Sequence, residues 1–296
     1  MDNKKSIKVH FTDFWDDFKP EHFHFYKILS MRYEIVLDRF YPDYLFFSCF
    51  GNNNLNYKDC VKIYWNGENY FPDFNQCDYA MGFAYLELSD RYLRFPEWAP
   101  YSRNWLNDQS LLDEATLLNR KFCNFVYSNT YCADPFRLQF FKRLSEYKKV
   151  DSGGKLDNNI GGAVADKIYF LSGYKFTIAF ENSNVEGYTT EKLIQPMYVN
   201  SLPIYWGNPL VHLDFNIDSI IYVKDYSDIE NAISEIVALD NDDDAYLEKL
   251  KIPWFSNDEF KRWSVKAAKF LYPIFEQDKE KAFRRAKYGR NFYTIN

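Results

Sequence analysis

The residues best suited to chemistry lie between Lys175 and Gly207, in the segment KFTIAFENSNVEGYTTEKLIQPMYVNSLPIYWG. Glu191 and Lys192 are adjacent at the start of a predicted helix. Glu191 suits the positive end of that helix, whereas Lys192 costs roughly 0.3–1 kcal/mol there unless an anion binds nearby. Backbone N–H groups at such a helix end can also hold a phosphate. Taken alone, the pair allows a phosphate site, but a lysine that points into solvent is the commoner arrangement.

The same segment has the pattern of a strand, a helix and a second strand. Four of the five residues 176–180 are β-branched or aromatic and the stretch contains no breaker, and Thr189 or Thr190 can cap the following helix. Pro196 should kink that helix or end it early. The apolar run 201–206 then returns as a strand. A βαβ unit of this kind binds ligands at the carboxyl ends of its strands.

The string FENS…GYTTEKL…LPIYWG in this segment resembles the donor-binding motif of the α1,3/α1,4-fucosyltransferase family, glycosyltransferase family 10, bacterial type. Two further segments share the resemblance, FVYSN…R ending at Arg137 and WNGEN…PDFNQCDYAMGF…DRYLRFP beginning at Trp65. It covers most of residues 61–210 and is weak in the first sixty residues and the tail. The resemblance implies a GT-B-like α/β fold, in which two Rossmann-type domains face a cleft. It also implies inverting transfer of L-fucose from GDP-fucose to the 3-OH of GlcNAc in a lactosamine-like, Lewis-type glycan.

The resemblance assigns donor-binding roles to residues of the second half of the chain. Arg137 and Lys192 would hold the diphosphate, for which the planar fork of arginine is well shaped. Glu191 would accept hydrogen bonds from hydroxyls of the ribose or the fucose. The remaining predicted donor-binding residues are Tyr188, Asn182, Ser128 and Asn129. Simpler roles are also open, since Asn182 could serve only its turn and Tyr188 could be packing.

The resemblance also implies a general base, Glu68, in the segment WNGEN. The alternative is a plain hairpin turn, because Asn66-Gly67 is a strong turn dipeptide. Against a hairpin, the following residues 70–74 contain a proline and do not alternate as a paired strand would. We expect the acceptor to bind in the same domain, opposite the donor. The candidate acceptor-binding residues are His22, His24, Tyr64 and Trp65.

No cofactor and no metal site are predicted, with GDP-fucose as the donor substrate and a divalent metal at most stimulating. The acidic run 242–244 is the local candidate for a metal-binding DxD motif, but an acidic helix cap explains it better. Five cysteines without a CxxC pair and four histidines do not form a convincing zinc site. Reduced thiols in the cytosol are the simplest explanation of the cysteines.

Charge and hydropathy limit the partners. A net charge of −6 argues against general nucleic-acid binding. No apolar run is long enough to span a membrane or to form a signal peptide, so we expect a cytoplasmic protein. The basic cluster Arg284, Arg285, Lys287 and Arg290 could contact an anionic inner-membrane surface, or could be a solvated helix end. Truncation after about residue 278 is therefore expected to be mild.

The order of predicted elements suggests an α/β domain at 1–120, a second α/β domain at 121–265 and a helical basic tail at 266–296. The resemblance implies that the first domain binds the acceptor and the second binds GDP-fucose. A helix is expected over 24–37. Two other functions remain open, a GT-B transferase for another nucleotide sugar and a non-catalytic carbohydrate-binding protein. An aromatic content of 20% suits sugar binding as well as core packing. The choice between α1,3 and α1,4 linkage also remains open.

Overall fold

The computed structural model describes residues 4–101, 113–128, 133–255 and 262–285. The chain forms two compact units, one of residues 1–100 together with 261–296 and the other of residues 101–260.

The first unit is built on a six-stranded parallel sheet with strand order β2-β1-β3-β4-β5-β6. Its strands are β1 (Ser6–Thr12), β2 (Glu34–Leu37), β3 (Tyr44–Phe47), β4 (Val61–Trp65), β5 (Tyr79–Gly82) and β6 (Tyr92–Arg94). Its helices are α1 (His24–Arg32), α8 (Trp263–Glu276) and α9 (Lys279–Ala282). Strands β3 and β4 are buried at every position, as expected for a parallel sheet covered on both faces.

The second unit is built on a five-stranded parallel sheet with strand order β11-β10-β9-β7-β8. Its strands are β7 (Lys121–Phe125), β8 (Val150–Ser152), β9 (Tyr174–Phe180), β10 (Leu202–Trp206) and β11 (Ile221–Tyr222). Its helices are α2 (Glu114–Leu118), α3 (Phe136–Ser145), α4 (Lys167–Leu171), α5 (Glu191–Tyr198), α6 (Ile229–Asn241) and α7 (Asp243–Lys251). Phe180 pairs with Trp206, so β9 and β10 end at the same edge of the sheet.

Two local predictions have opposite outcomes. The helix predicted over 24–37 is wrong in its second half, because residues 34–37 form β2 and pair with β1. The helix predicted to begin after Thr190 is found as α5, which contains Pro196 and stops two residues later, at Tyr198.

The chain after residue 261 belongs to the first unit, so the predicted boundaries at 120 and 265 differ from the compact units. Helix α8 packs against α1, and the Lys5 ammonium donates a hydrogen bond to the carbonyl of Phe275 at 2.9 Å. A carboxyl-terminal helix thus completes a core that the amino-terminal strands began.

Two residues of the predicted basic cluster, Arg284 and Arg285, pair with carboxylates of the first unit. Arg284 pairs with Asp90 at 2.6 Å, and the buried guanidinium of Arg285 pairs with the fully buried carboxylate of Asp78. The other two basic positions of the predicted cluster, 287 and 290, lie outside the described residues. Within the part of the chain that the structure describes, no helix has both the length and the apolar character needed to cross a bilayer.

Candidate active site

Arg137 lies in the first turn of α3, close to the carboxyl end of β9. Its guanidinium donates a hydrogen bond to the Asn182 side-chain oxygen at 3.0 Å and lies 4.7 Å from the centre of the Tyr127 ring. The backbone N–H of Asp134 also donates to the carbonyl of Asn182 at 2.8 Å, which joins the loop before α3 to the turn after β9. Burial lowers the pKa of Arg137, but an arginine side chain stays protonated in proteins. The site therefore contains a fixed, largely desolvated cation.

Lys192 is a second cation in the same unit, in the first turn of α5. Its side chain is only 16% exposed, and its ammonium lies 3.5 Å from carboxylate oxygens of both Glu181 and Glu191. Burial opposes the charge, yet these two carboxylates raise the pKa of Lys192 above its ordinary range. Lys192 is therefore charged at neutral pH, and it does not point freely into solvent.

Glu181 holds the start of α5. Its carboxylate accepts hydrogen bonds from the backbone N–H of Thr190 at 2.7 Å and from the Thr190 hydroxyl at 2.8 Å. The Thr190 oxygen in turn accepts a hydrogen bond from the Lys192 ammonium at 3.1 Å. Burial raises the pKa of Glu181, and the Lys192 charge opposes that increase. The sequence predicted that backbone N–H groups at the start of this helix are free to hold a phosphate. The N–H group of Thr190 is not free, because it donates to the buried Glu181 carboxylate.

Glu191 faces cations on two sides. Burial disfavours its ionised form, but the charges of Lys192 and Lys167 prevail and lower the pKa of Glu191. Lys167 is the first residue of α4, which packs against α5. Glu191 is therefore an ionised acceptor at neutral pH, suited to hydroxyl groups of a ligand.

Of the other predicted donor-binding residues, Asn182 and Tyr188 lie at this site. Tyr188 is almost fully buried, and it influences the pKa of both Arg137 and Lys192. Ser128 is exposed just beyond β7, where its hydroxyl accepts a hydrogen bond from the backbone N–H of Lys155 at 3.2 Å. Asn129 lies outside the described residues. We call Arg137, Asn182, Tyr188, Glu191 and Lys192 the donor cluster.

Two residues that support the site were not predicted from the sequence. Gly207 follows β10 with φ +150°, and a Cβ there would lie 2.5 Å from the Glu181 side chain, so only glycine fits. Asn208 is fully buried and accepts hydrogen bonds from the backbone N–H groups of Gly187 and Leu210. The glycine at the end of an apolar strand was a signal for the first. The role of Asn208 depends on contacts that have no local signature.

Glu68 lies in the turn 66–70 after β4, at the carboxyl edge of the first sheet. Its backbone carbonyl accepts a hydrogen bond from the N–H of Tyr70 at 2.8 Å. The Asn66 amide donates to the Tyr64 hydroxyl and to the carbonyl of Tyr70. Among the described residues, the partly exposed Glu68 carboxylate has no hydrogen-bond or ion-pair partner. We call residues 66–70 the base turn.

The predicted acceptor-binding residues are less accessible than expected. Tyr64 and Trp65 are each only 7% exposed, and the Trp65 ring packs against Phe23 and Phe25. Burial, with a smaller effect of Lys27, lowers the pKa of His24 to about 4, so its ring is neutral at pH 7. His22 is exposed in the turn before α1. The start of α1 thus lies at the same sheet edge as the base turn. Tyr64 and Trp65 are buried beneath this edge and serve mainly to support it, rather than to contact an acceptor.

The acidic run 242–244 is a helix cap. The Asp242 carboxylate accepts a hydrogen bond from the N–H of Ala245 at 3.0 Å, and Asp243 pairs with Lys175 at 3.1 Å. Over the described ranges, no group of three or more His, Cys, Asp or Glu side chains is arranged to hold a metal ion. The described cysteines 49, 60, 77 and 123 are free thiols.

Two family models match the chain over most of its length. One, described as the N-terminal domain of alpha-(1,3)-fucosyltransferase FucT, matches residues 9–101. The other, described as the C-terminal part of glycosyltransferase family 10 (fucosyltransferase), matches residues 116–271. The chain belongs to glycosyltransferase family 10. The first match ends beside the boundary of the first compact unit at residue 100.

Several members of this family are similar to the chain over most of its length. The alpha-(1,3)-fucosyltransferase FucT of Helicobacter pylori is 34% identical over 288 residues, which cover 82% of this chain and 59% of that protein. The chain thus spans less than two thirds of the length of this relative. A crystal structure of an alpha1,3-fucosyltransferase with GDP has a TM-score of 0.78 and 31% identity, and covers 94% of this chain and 92% of the other. Another, with GDP-fucose, has a TM-score of 0.77 and 30% identity, with coverage of 97% and 94%. The predicted GT-B-like α/β fold class is therefore confirmed.

Proposed function

We propose that the protein is an inverting fucosyltransferase that moves L-fucose from GDP-fucose to the 3-OH of GlcNAc in a lactosamine-like acceptor glycan. The observation that carries this proposal is the donor cluster. Two charged, largely desolvated cations, Arg137 and Lys192, lie at one sheet edge beside the ionised carboxylate of Glu191. Paired cations suit a diphosphate, and a carboxylate suits the hydroxyls of ribose or fucose.

In the proposed reaction, Glu68 takes the proton from the acceptor hydroxyl. The hydroxyl oxygen attacks the anomeric carbon of fucose from the face opposite the diphosphate. A new C–O bond forms to the acceptor while the bond between the anomeric carbon and the phosphate oxygen breaks. GDP leaves with the electron pair of that bond, and Arg137 and Lys192 stabilise its negative charge. The anomeric configuration is thereby inverted.

Two observations support this assignment over the alternatives. A carbohydrate-binding protein without catalysis would have no use for the donor cluster. A relative and two solved structures of similar sequence are named as alpha1,3-fucosyltransferases, and one structure holds GDP-fucose. Those names favour α1,3 over α1,4 linkage. A cytoplasmic location and a peripheral membrane contact of residues beyond 285 stay predictions.

The proposal is tested by incubating the protein with GDP-fucose and N-acetyllactosamine and determining the linkage of the product by NMR. We expect α1,3-linked fucose on GlcNAc. Parallel titrations with GDP and UDP should show binding of GDP in preference to UDP. Transfer from a UDP-sugar, or glycan binding without any nucleotide affinity, would favour the other two functions.

The donor cluster gives a direct prediction for nucleotide binding. Arg137→Ala and Lys192→Ala should each weaken GDP binding roughly tenfold to a hundredfold, because a hydrogen bond to a charged group contributes about 1.5–3 kcal/mol. Isothermal titration calorimetry measures the effect. Arg143→Ala is a matched control on the same helix, since Arg143 pairs with Glu230 and Glu146 on the surface. Equal GDP affinity in all three variants would exclude the donor cluster as the diphosphate site.

The proposed mechanism assigns charge stabilisation to side chains. We therefore expect excess EDTA to leave most of the fucosyl transfer intact, measured as product formed per minute at saturating GDP-fucose. Complete loss of activity, restored by added Mn²⁺, would contradict the assignment of the diphosphate to Arg137 and Lys192 alone.

A further inference from the structure

Two large aromatic side chains are exposed directly after the proposed base. Tyr70 is 61% exposed and Phe71 is 58% exposed, and they follow Glu68 by two and three residues. Large exposed aromatic side chains are uncommon on a protein surface unless they contribute to an interaction site.

The backbone that carries these rings is held in place. The N–H of Tyr70 donates to the carbonyl of Glu68 at 2.8 Å, and the Tyr70 carbonyl accepts a hydrogen bond from the Asn66 amide at 3.2 Å. The Phe71 ring lies 5.5 Å, centre to centre, from the ring of Phe83, which is buried at the end of β5. Hydrogen bonds therefore hold the Tyr70 backbone relative to Glu68, and packing on Phe83 holds the Phe71 ring.

Tyr64 and Trp65, which precede the base turn, cannot contact a ligand in the same way. Tyr64 and Trp65 are almost fully buried, so neither presents a ring face to a ligand. Exposed aromatic side chains near the base turn are therefore Tyr70 and Phe71 on its carboxyl side, and Trp15 and Phe50, of which Trp15 lies beside the buried Trp65 ring. Of these, Tyr70 and Phe71 are the ones that follow Glu68 directly in the chain.

We propose that Tyr70 and Phe71 form an acceptor shelf, which packs against the apolar face of the sugar ring next to the one that receives fucose. The inference rests on the proposed function and adds a subsite to it. Two residues of chain span at most about 7 Å, so a sugar on the shelf and a hydroxyl at Glu68 can belong to one glycan. A sugar ring carries C–H groups on its faces and hydroxyls at its rim, which suits a flat apolar surface with a tyrosine hydroxyl. The shelf itself carries no charge, which favours a neutral sugar.

The test compares a disaccharide acceptor, N-acetyllactosamine, with the monosaccharide GlcNAc. In Tyr70→Ala and Phe71→Ala, we expect kcat/KM for the disaccharide to fall about tenfold, equivalent to about 1.4 kcal/mol, through a higher KM with little change in kcat. The values for GlcNAc and the KM for GDP-fucose should stay near those of the unmodified protein. Tyr70→Phe keeps the ring and should keep disaccharide preference.

Tyr41→Ala is the matched control, because Tyr41 is 80% exposed in the loop that leads into β3 of the same unit. Tyr41→Ala should leave kcat/KM unchanged for both acceptors. An unchanged ratio between the two acceptors in the alanine variants, an equal loss for both, or a raised KM for GDP-fucose would overturn the shelf. If the unmodified protein transfers no fucose to either acceptor, the proposed function fails instead, so the two failures are distinguishable.

Discussion

Replacing Glu68 with glutamine is expected to lower kcat by roughly 10²–10⁴-fold, the usual contribution of a general base. Glutamine keeps the shape of the side chain and its ability to hydrogen-bond, but it cannot accept the acceptor proton. The affinity for GDP should barely change, because the nucleotide is assigned to the donor cluster. The measurements are kcat at saturating donor and acceptor, and GDP binding by calorimetry.

The exposed carboxyl of Glu87 in the same unit provides the comparison, and Glu87→Gln should behave as the unmodified protein. Glu68→Gln should also lose the acidic limb of the pH–rate profile, since an amide does not titrate. Near-normal turnover of Glu68→Gln, or a loss of GDP binding in step with activity, would show that Glu68 is not the base. The search would then move to His22, His24 or Glu87.

Arg285→Ala is expected to destabilise the protein by about 3–5 kcal/mol, the usual cost of removing one partner of a buried ion pair. Asp78 is fully buried, and its carboxylate accepts hydrogen bonds from the backbone N–H groups of Lys62, Arg284 and Arg285 as well as from the Arg285 guanidinium. The same guanidinium donates to the carbonyls of Lys58 and Cys60. Without it, the buried Asp78 carboxylate would lose its ion-pair partner.

The neighbouring residue is the control for this effect. Arg284 pairs with the exposed carboxylate of Asp90, so Arg284→Ala should cost no more than about 1 kcal/mol. Urea unfolding followed by far-UV circular dichroism measures both. Truncation after residue 278 removes Arg285 and two backbone donors together, so we now expect it to destabilise the first unit. Equal unfolding midpoints for Arg285→Ala and Arg284→Ala would contradict this account of the tail.

Local sequence was sufficient for the part of the fold that contains the donor cluster. The segment 175–207 forms a strand, a helix capped by Thr190 and a second strand, as predicted, because hydrophobic spacing and capping act over a few residues. The order of strands β1, β3 and β4 was readable for the same reason. Strand β2 was not, because residues 34–37 continue a helical pattern and become a strand only by pairing with β1.

The sequence by itself determined the family, the α/β class and which side chains are candidates for chemistry, since these depend on residue types and short spacings. Tertiary structure alone decided where each candidate lies and how it is charged. Asp78 and Arg285 are 207 positions apart in the sequence, yet they form a buried ion pair, although Arg285 belongs to a cluster that could have been solvated. The packing of the first unit likewise buries Tyr64 and Trp65 beneath the base turn, whereas Tyr70 and Phe71 stay exposed. Burial and long-range ion pairing depend on which distant segments pack together, and no local pattern in the chain encodes that.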